Sequence, residues 1–508
     1  MSVRTIMRAI EYHAGVKPDS IALAGENCQV SYQELFNDMR SSNMDFGLRM
    51  AHVVGLAMDN CPCWAMLDLK LASTGLPCVP LPLFFSPGQI LHAIRDAGVD
   101  CVITDQAEVY VTLLQSAGLE IVSHHPHELY GKKFSVLFLC SDRVSSLPEN
   151  TAKVTFTSGT TGEPKGVCLD EYSMMQVVLS LYKATKANDQ DKHLSMLPLS
   201  TLLENIGGLY VSLIAGATCI LPSMSSIGLL GACSLNSKKM ITALSQYRPT
   251  SAILTPELLL GLVTAIECGE AKPESLRFVA VGGASTSTHL LQRAQNLGLP
   301  VFEGYGLSEC VSVVAVNTPE ACQPGSVGKP LPHIRIQVAE DGEILMSGHV
   351  RLRFEGNKPF SARDFWPTGD IGYLDQNGFL FITGRKKNIF ITSFGRNISP
   401  EWVERELVLH PAIAQVAVFG ESRPFNVAVI VPMPGQEPIQ IQMQEAIAQT
   451  NALLPDYARI SRWVIANMPF TYKNGLATSN GRLRREEIFK CYQKDIQSLY
   501  EETCHAVL

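Results

Sequence analysis

The first three hundred residues alternate between short runs rich in Val, Ile and Leu and longer stretches with helical spacing, a rhythm that few folds accommodate. Residues 53–58 read as a buried strand before a helical stretch to 71, 78–80 as a strand, 87–97 as a helix and 99–104 as a strand. Ser31-Tyr32-Gln33-Glu34 fits a capping box that opens an earlier helix. The rhythm resumes with 134–141, 154–156, a helix after Asp170 and the apolar segment 209–221. It runs a third time through 252–254, a helix after Pro256, 278–281, a helix over 290–297 and a strand at 301–302. Strand-then-helix repetition covers a parallel sheet on both faces, which makes the class α/β. Residues 335–354 then alternate as in a small antiparallel sheet. Beyond Gly384-Arg385-Lys386-Lys387-Asn388 the pattern restarts: Ser399 caps a helix with Pro400 first and Glu401 and Glu404 near its positive end, 414–419 and 426–431 are strands, and 443–453 is helical. A chain of 508 residues exceeds what one core organises. The expected boundary lies at 384–388, leaving a C-terminal unit of about 120 residues.

Composition narrows the class of function. With 46% apolar and 18% charged residues the chain is ordinary for a globular protein. Its net charge of −7 argues against a nucleic-acid binder held by phosphate neutralisation. The 14 cysteines lack framework spacing and sit in apolar segments, such as those around Cys78, Cys140, Cys219 and Cys310, so buried free thiols in a reducing compartment are expected. Cys61-Pro62-Cys63 is a close pair without the rest of a zinc site. Arg4, Arg8, Glu11 and His13 interrupt the N-terminus, so no secretion signal is read there, and 209–221 is too short and too broken to span a bilayer. A cytoplasmic location follows as an expectation.

Thr157-Ser158-Gly159-Thr160-Thr161-Gly162-Glu163-Pro164-Lys165-Gly166 concentrates glycine, hydroxyl groups and one lysine directly after a strand. Backbone N–H groups of such a loop can point at anions, and Gly159 and Gly162 permit the left-handed turns this needs. It is not a Walker loop, because Gly166 stands where Ser or Thr must follow the lysine. The string resembles the phosphate-binding signature of the adenylate-forming superfamily, the acyl-CoA synthetases, luciferases and adenylation domains. Three further elements follow in that family's order: Gly304-Tyr305-Gly306-Leu307-Ser308-Glu309, Trp366-Pro367-Thr368-Gly369-Asp370 and Gly384-Arg385-Lys386-Lys387-Asn388. Read singly, Glu309 is compatible with a capping carboxylate, Asp370 with a turn residue and 385–387 with a solvated charge run. Taken in order, they are not independent accidents.

The resemblance implies a large N-terminal AMP-binding domain, 1–384, of stacked α/β sheets plus a small antiparallel sheet, and a mobile α+β lid, 385–508. It also implies ATP, Mg²⁺ and a thiol carried by CoA or by the phosphopantetheine of a carrier protein. Thr157, Ser158, Gly159, Thr160, Thr161, Gly162 and Lys165 would hold the β and γ phosphates. Glu309 would ligate Mg²⁺, and Ser308 would donate to an α-phosphate oxygen. Asp370 would accept from the ribose hydroxyls, and Arg385 would reach ribose or phosphate. Tyr305, flanked by Gly304 and Gly306, would stack on adenine, with Gly282, Gly283 and Ala284 giving the base close approach to the backbone. Lys387 would be the hinge, and Gly395, beside Ser393 and Phe394, would leave room for a pantetheine arm.

Two departures stand out. Leu197-Pro198-Leu199-Ser200-Thr201-Leu202-Leu203-Glu204 resembles a segment of the long-chain acyl-CoA synthetases but has Thr201 where that group has histidine. The resemblance implies an acyl pocket walled by Leu203, Glu204 and Gly208, although plain helix core is an equally good reading of each. The stretch from Asn474 to Arg485 resembles that group's catalytic segment, with Arg482 in place of its lysine. Arginine keeps the charge but spreads it over a planar fork. Lys473 is a candidate substitute. Three readings therefore stand: a ligase forming acyl-CoA from a fatty or other apolar acid through acyl-AMP, an enzyme delivering acyl-AMP to an acyl carrier protein, and a nucleotide- or acyl-binding pseudoenzyme slowed by Arg482. Oligomeric state is left open.

Overall fold

The computed structural model describes residues 4–41, 46–140, 147–157, 165–230, 234–348, 364–434, 439–478 and 481–501. Two large sheets dominate it. The seven-stranded sheet runs, edge to edge, through Ile121–Leu129, Lys132–Leu139, Cys101–Thr104, Val54–Ala57, Cys78–Pro80, Thr151–Thr157 and Lys165–Asp170. The nine-stranded sheet has Phe278–Val281, Ser251–Leu254, Lys192–Leu194 and Thr218–Ile220 as parallel neighbours at its centre, with Val301–Leu307 beside Phe278–Val281. In both sheets antiparallel pairs occupy the margins, where a strand need not be covered on both faces.

The helix Pro62–Thr74 explains how the layers join. Ten consecutive residues from Pro62 to Leu71 are buried, so it is enclosed all round rather than along one stripe. It shares one core with Glu171–Thr185 and with strands of both sheets, through Trp64, Leu67, Met174, Val178, Leu23 and Leu56. Inside this core Asp68 binds Lys153 Nζ at 2.8 Å and accepts from Tyr210 Oη at 2.8 Å and Asn205 Nδ2 at 2.9 Å. Removing one partner of such a buried pair strands the other charge.

A four-stranded antiparallel sheet, Ile334–Val338, Glu343–Gly348, Trp366–Leu374 and Leu380–Arg385, follows where short alternating segments predict one. The C-terminal unit packs Pro400–Leu407 and Ile439–Leu453 on a three-stranded sheet of Ile413–Phe419, Asn426–Pro432 and Ile460–Ile465. The capping box forms: Glu34 N–H donates to Ser31 Oγ at 3.1 Å and Ser31 N–H to Glu34 Oε2 at 2.8 Å. Ser399 differs from expectation. Its hydroxyl donates to Glu401 Oε2 at 3.1 Å, two residues on, and accepts no cap bond from the helix. Cys78, Cys219 and Cys310 are buried free thiols, whereas Cys140 ends an edge hairpin and is exposed. Cys61 Sγ accepts from Trp64 N–H at 3.4 Å, so the close cysteine pair serves a helix start. Among the described residues no helix is long and apolar enough to cross a membrane.

Candidate functional site

The strand Val301–Leu307 leaves the nine-stranded sheet and folds back as an antiparallel hairpin with Ser312–Val316. A Cβ on Gly306 would lie 1.7 Å from Ser312 O, so this crossing requires glycine. Between the strands Ser308–Cys310 form a single tight turn, and Val311 and Ser312 take φ of 60° and 92°. A β-branched residue in the left-handed region is a strained choice, of the kind that clusters at functional sites. The turn buries Glu309.

A second wall comes from the four-stranded sheet. Thr368 Oγ1 donates to Ile344 O at 2.7 Å and accepts Asp370 N–H at 3.1 Å, which fixes the backbone ahead of Asp370. Asp370 lies opposite Arg385 in the ladder, and Arg385 Nε meets its Oδ1 at 2.7 Å. Tyr305 Oη donates to its other oxygen, Oδ2. Burial pushes the Asp370 carboxyl up from its ordinary range, against the opposing pull of Arg385, Tyr305 and Arg482.

Arg482 arrives from the C-terminal unit on a turn in which its N–H donates to Thr478 Oγ1 at 3.0 Å. Arg482 is exposed, yet enough protein surrounds its guanidinium to hold it below the usual value, Arg385 adding to that, while Asp370 and Glu309 pull the other way. Lys387 is depressed by burial, then by Arg385 and Arg482. Arg385, Lys387 and Arg482 thus lie near one another, with Asp370 and Glu309 acting on Arg482 and Glu401 and Glu486 on Lys387. Cations grouped beside an exposed arginine can take up an incoming anion. Lys386, by contrast, is held outside by Asp341 at 2.6 Å and Glu343 at 2.7 Å, so the basic triplet is split between two tasks.

Other expected site residues fall as follows. Gly283, at φ 86°, and Ala284 form an exposed loop after Phe278–Val281. A Cβ on Gly282 would lie 3.5 Å from Gly304 O and 3.8 Å from Leu203 Cδ2, so this loop borders the strand carrying Tyr305. Half-buried Leu203 faces that junction. Glu204 instead is fully buried against His193, Nε2 to Oε1 2.8 Å, and a Cβ on Gly208 would strike that pair at 2.3 and 2.5 Å. These two residues meet a histidine from a neighbouring strand and not an open wall. Thr157 ends one strand and half-buried Lys165 opens the next, opposite it in register. Ser158, Gly159, Thr160, Thr161 and Gly162 lie outside the described residues. Ser308 starts the tight turn before Glu309. Gly395, at φ 71°, stands in open space beside Phe394, which is 75% exposed. Lys473 is exposed, next to Tyr472, whose hydroxyl is 2.9 Å from Ser86 Oγ.

Sequence reasoning missed the group behind this cluster. Glu303, two residues before Tyr305, is buried, accepts Thr286 N–H at 3.0 Å and faces Arg405. Burial pushes its carboxyl up from 4.5 to about 7. The folded protein therefore binds a proton that the unfolded chain has lost between these values, so this group's contribution weakens as pH rises through about 7. Glu303→Gln is expected to gain stability relative to the wild type on going from pH 5 to pH 8, by up to roughly 3 kcal/mol. Melting temperatures of both proteins across that range check it; a constant difference would refute the assignment.

Comparison with known proteins agrees with this geometry. Residues 10–350 match the AMP-binding enzyme family and residues 387–504 the AMP-binding enzyme C-terminal domain. The long-chain-fatty-acid–CoA ligase FadD15 of Mycobacterium bovis is 24% identical, over 86% of this chain and 86% of its own. Among solved structures, the anthranilate CoA ligase AuaEII in complex with anthranoyl-AMP superposes with a TM-score of 0.76 at 18% identity, covering 96% of both chains. The o-succinylbenzoate CoA synthetase of Bacillus subtilis in complex with ATP and magnesium gives 0.71 at 23%, covering 94% of this chain and 98% of the other. With a family match over more than half of its length, the chain belongs to the AMP-binding enzymes.

Proposed function

We propose that this protein joins a carboxylic acid to AMP, releasing pyrophosphate from MgATP, and then passes the acyl group to the thiol of CoA. The observation that carries the proposal is the convergence of Tyr305, Glu309, Asp370, Arg385, Lys387 and Arg482, drawn from the large and the C-terminal units, on one charged cluster. Adenylation brings a carboxylate up to a polyphosphate, two anions that repel until cations neutralise both. Arg482, facing Asp370 and Glu309 in this lid position, is placed to do so at the α phosphate. Asp370, already an acceptor for two donors, can exchange them for the ribose hydroxyls. Tyr305 and the Gly283-Ala284 loop would flank the base, and Ser308 and the 157–165 segment would take the phosphate oxygens.

The donor set fits magnesium carried in by the nucleotide. Among the described residues no cluster of three or more His, Cys, Asp or Glu side chains could hold a resident ion. Mg²⁺ commonly takes one or two protein carboxylates plus phosphate oxygens and water, and Glu309 supplies such a carboxylate. When bound there it would neutralise phosphate charge.

The acid is proposed to be fatty or otherwise apolar. Support comes from the likeness of residues 197–204 to a segment of the long-chain acyl-CoA synthetases and from half-buried Leu203, 3.8 Å from where a Gly282 side chain would stand. Rotation at Lys387, with the boundary at 384–388, would then withdraw Arg482 and present the face bearing Gly395 to a pantetheine thiol.

The test is pyrophosphate release with a panel of fatty and aromatic acids, followed by acyl transfer to CoA or to purified acyl carrier protein. Acid-dependent release and CoA consumption are expected. Release with transfer only to carrier protein would change the acceptor, and no release above background would leave a binding protein.

A further inference from the structure

Behind the charged cluster, the helix Pro400–Leu407 of the C-terminal unit makes a second set of contacts that the proposed chemistry does not use. Arg405 donates to Ser285 Oγ and faces Glu303. Glu406 Oε2 accepts Ser287 Oγ–H at 2.9 Å and lies 3.0 Å from His289 Nδ1. All four partners lie on the large domain; Ser285 and Ser287 continue the loop that begins at Gly283 and Ala284, and His289 lies in the first turn of the helix Thr288–Asn296 that follows. Glu406 is buried where the two units meet, at 6% exposed, and Arg405 beside it is half-buried, its side chain 24% exposed.

The same helix grips the segment that carries Arg482. Glu404 takes Arg485 in a two-pronged pair, with Nη2 to Oε2 at 2.9 Å. Arg485 is three residues from Arg482. A rigid connection therefore runs from the loop after Gly283, through Glu406 and Arg405 into the helix, through Glu404 to Arg485, and so to the guanidinium facing Asp370 and Glu309.

We propose that Arg405 and Glu406 form a latch that holds the C-terminal unit in its adenylating position and so places Arg482 against the nucleotide. A buried charged group satisfied only in one docking geometry gives orientation more than net stability, because any other lid position must find it new partners or water. Arg405 and Glu406 are positioning residues: they act through Arg482 and touch no reacting atom. The latch engages the loop proposed to flank adenine, so nucleotide binding and lid closure become one event. Thioester formation, which needs the lid turned, requires the latch to release.

The inference rests on the proposed two-step reaction, and its test separates the two ideas. Glu406→Ala, Arg405→Ala and the double variant Ser287→Ala/His289→Ala are compared with the wild type in acid-dependent ATP–pyrophosphate exchange. They are compared again in CoA thioester formation from supplied acyl-adenylate. Exchange should fall about tenfold while transfer is unchanged or faster, and adding Glu406→Ala to the double variant should cost little more. Trypsin cleavage at the hinge lysines Lys386 and Lys387 gives a readout independent of turnover, and the variants should be cut several-fold faster at unchanged melting temperature. Equal losses in both half-reactions, or cleavage rates like the wild type, would overturn the latch. A wild type inactive in both half-reactions would sink the proposed function, and the cleavage rates would still decide the latch.

Discussion

Asp370→Ala is expected to lower acid-dependent pyrophosphate exchange by about 10²–10³-fold. The carboxylate is 2% exposed and takes Tyr305 Oη on one oxygen and Arg385 Nε on the other, at 2.7 Å. Truncation leaves Arg385 without its ladder partner and Arg482 with Glu309 as its nearby carboxylate. Their repulsion then pushes Arg385 out toward solvent and frees Tyr305 from the one bond that orients its ring. Arg385 keeps its side chain 36% exposed, so the expected loss comes from a disordered nucleotide site, at about the 10²–10³-fold of one preorganised group, and not from unfolding. Asp370→Asn separates shape from charge. Its amide oxygen can still accept from Tyr305, but its NH₂ group then faces Arg385, so an intermediate loss with a raised KM for ATP is expected. Melting curves for both variants guard against misfolding. Exchange near the wild-type rate in Asp370→Ala, with unchanged KM for ATP, would remove Asp370 from the site.

Some elements were legible to the residue. Cys78–Pro80, Pro87–Ala97 and Phe278–Val281 form as read, two of them because Pro or Gly marks a boundary and one because four apolar residues have no other use. The strand Ile121–Leu129 was not legible: it carries His124, His125, Pro126 and His127 at a sheet edge, where only one flank is paired and alternation fades. Val301–Leu307 was read only in its first two residues, since Gly-Tyr-Gly has no strand propensity. Its extension is imposed by pairing with Ser312–Val316. The π-helical turn Asn205–Tyr210 has no sequence signal, and buried bonds from Asn205 and Tyr210 to Asp68 tie both its ends to a helix far away in the chain.

The site divides along the same line. Tyr305, Glu309, Asp370, Arg385 and Arg482 sit in short ordered motifs, which can be matched without knowing any contact. Glu303, Arg405, Glu406 and His289 act through pairs more than a hundred residues apart, and each looks like an ordinary helix or strand residue by itself. Glu404 illustrates the difficulty. Near a helix start it reads as a dipole carboxylate, yet its geometry is set by Arg485 and by Val418 N–H at 2.7 Å.

Arg482 carries the second large effect. Arg482→Ala is expected to lose about 10²–10³-fold in exchange and little in thioester formation from supplied acyl-adenylate, because the guanidinium belongs to the lid position described here. Arg482→Lys tests whether the departure from lysine is a handicap or a fit. The guanidinium lies near Asp370, Glu309 and Arg385, and it stays charged because its ordinary value is so high. An ammonium on a shorter stem would sit beside Arg385 and Lys387, whose repulsion favours loss of its proton. Arg482→Lys is therefore expected to be about tenfold slower than the wild type. Since a depressed lysine is charged only below its own pKa, the alkaline limb of its exchange profile should also move to lower pH. A faster rate in Arg482→Lys would mean that the native fork hinders adenylation. An unshifted alkaline limb would mean that the repulsion from Arg385 and Lys387 is screened by solvent at this position.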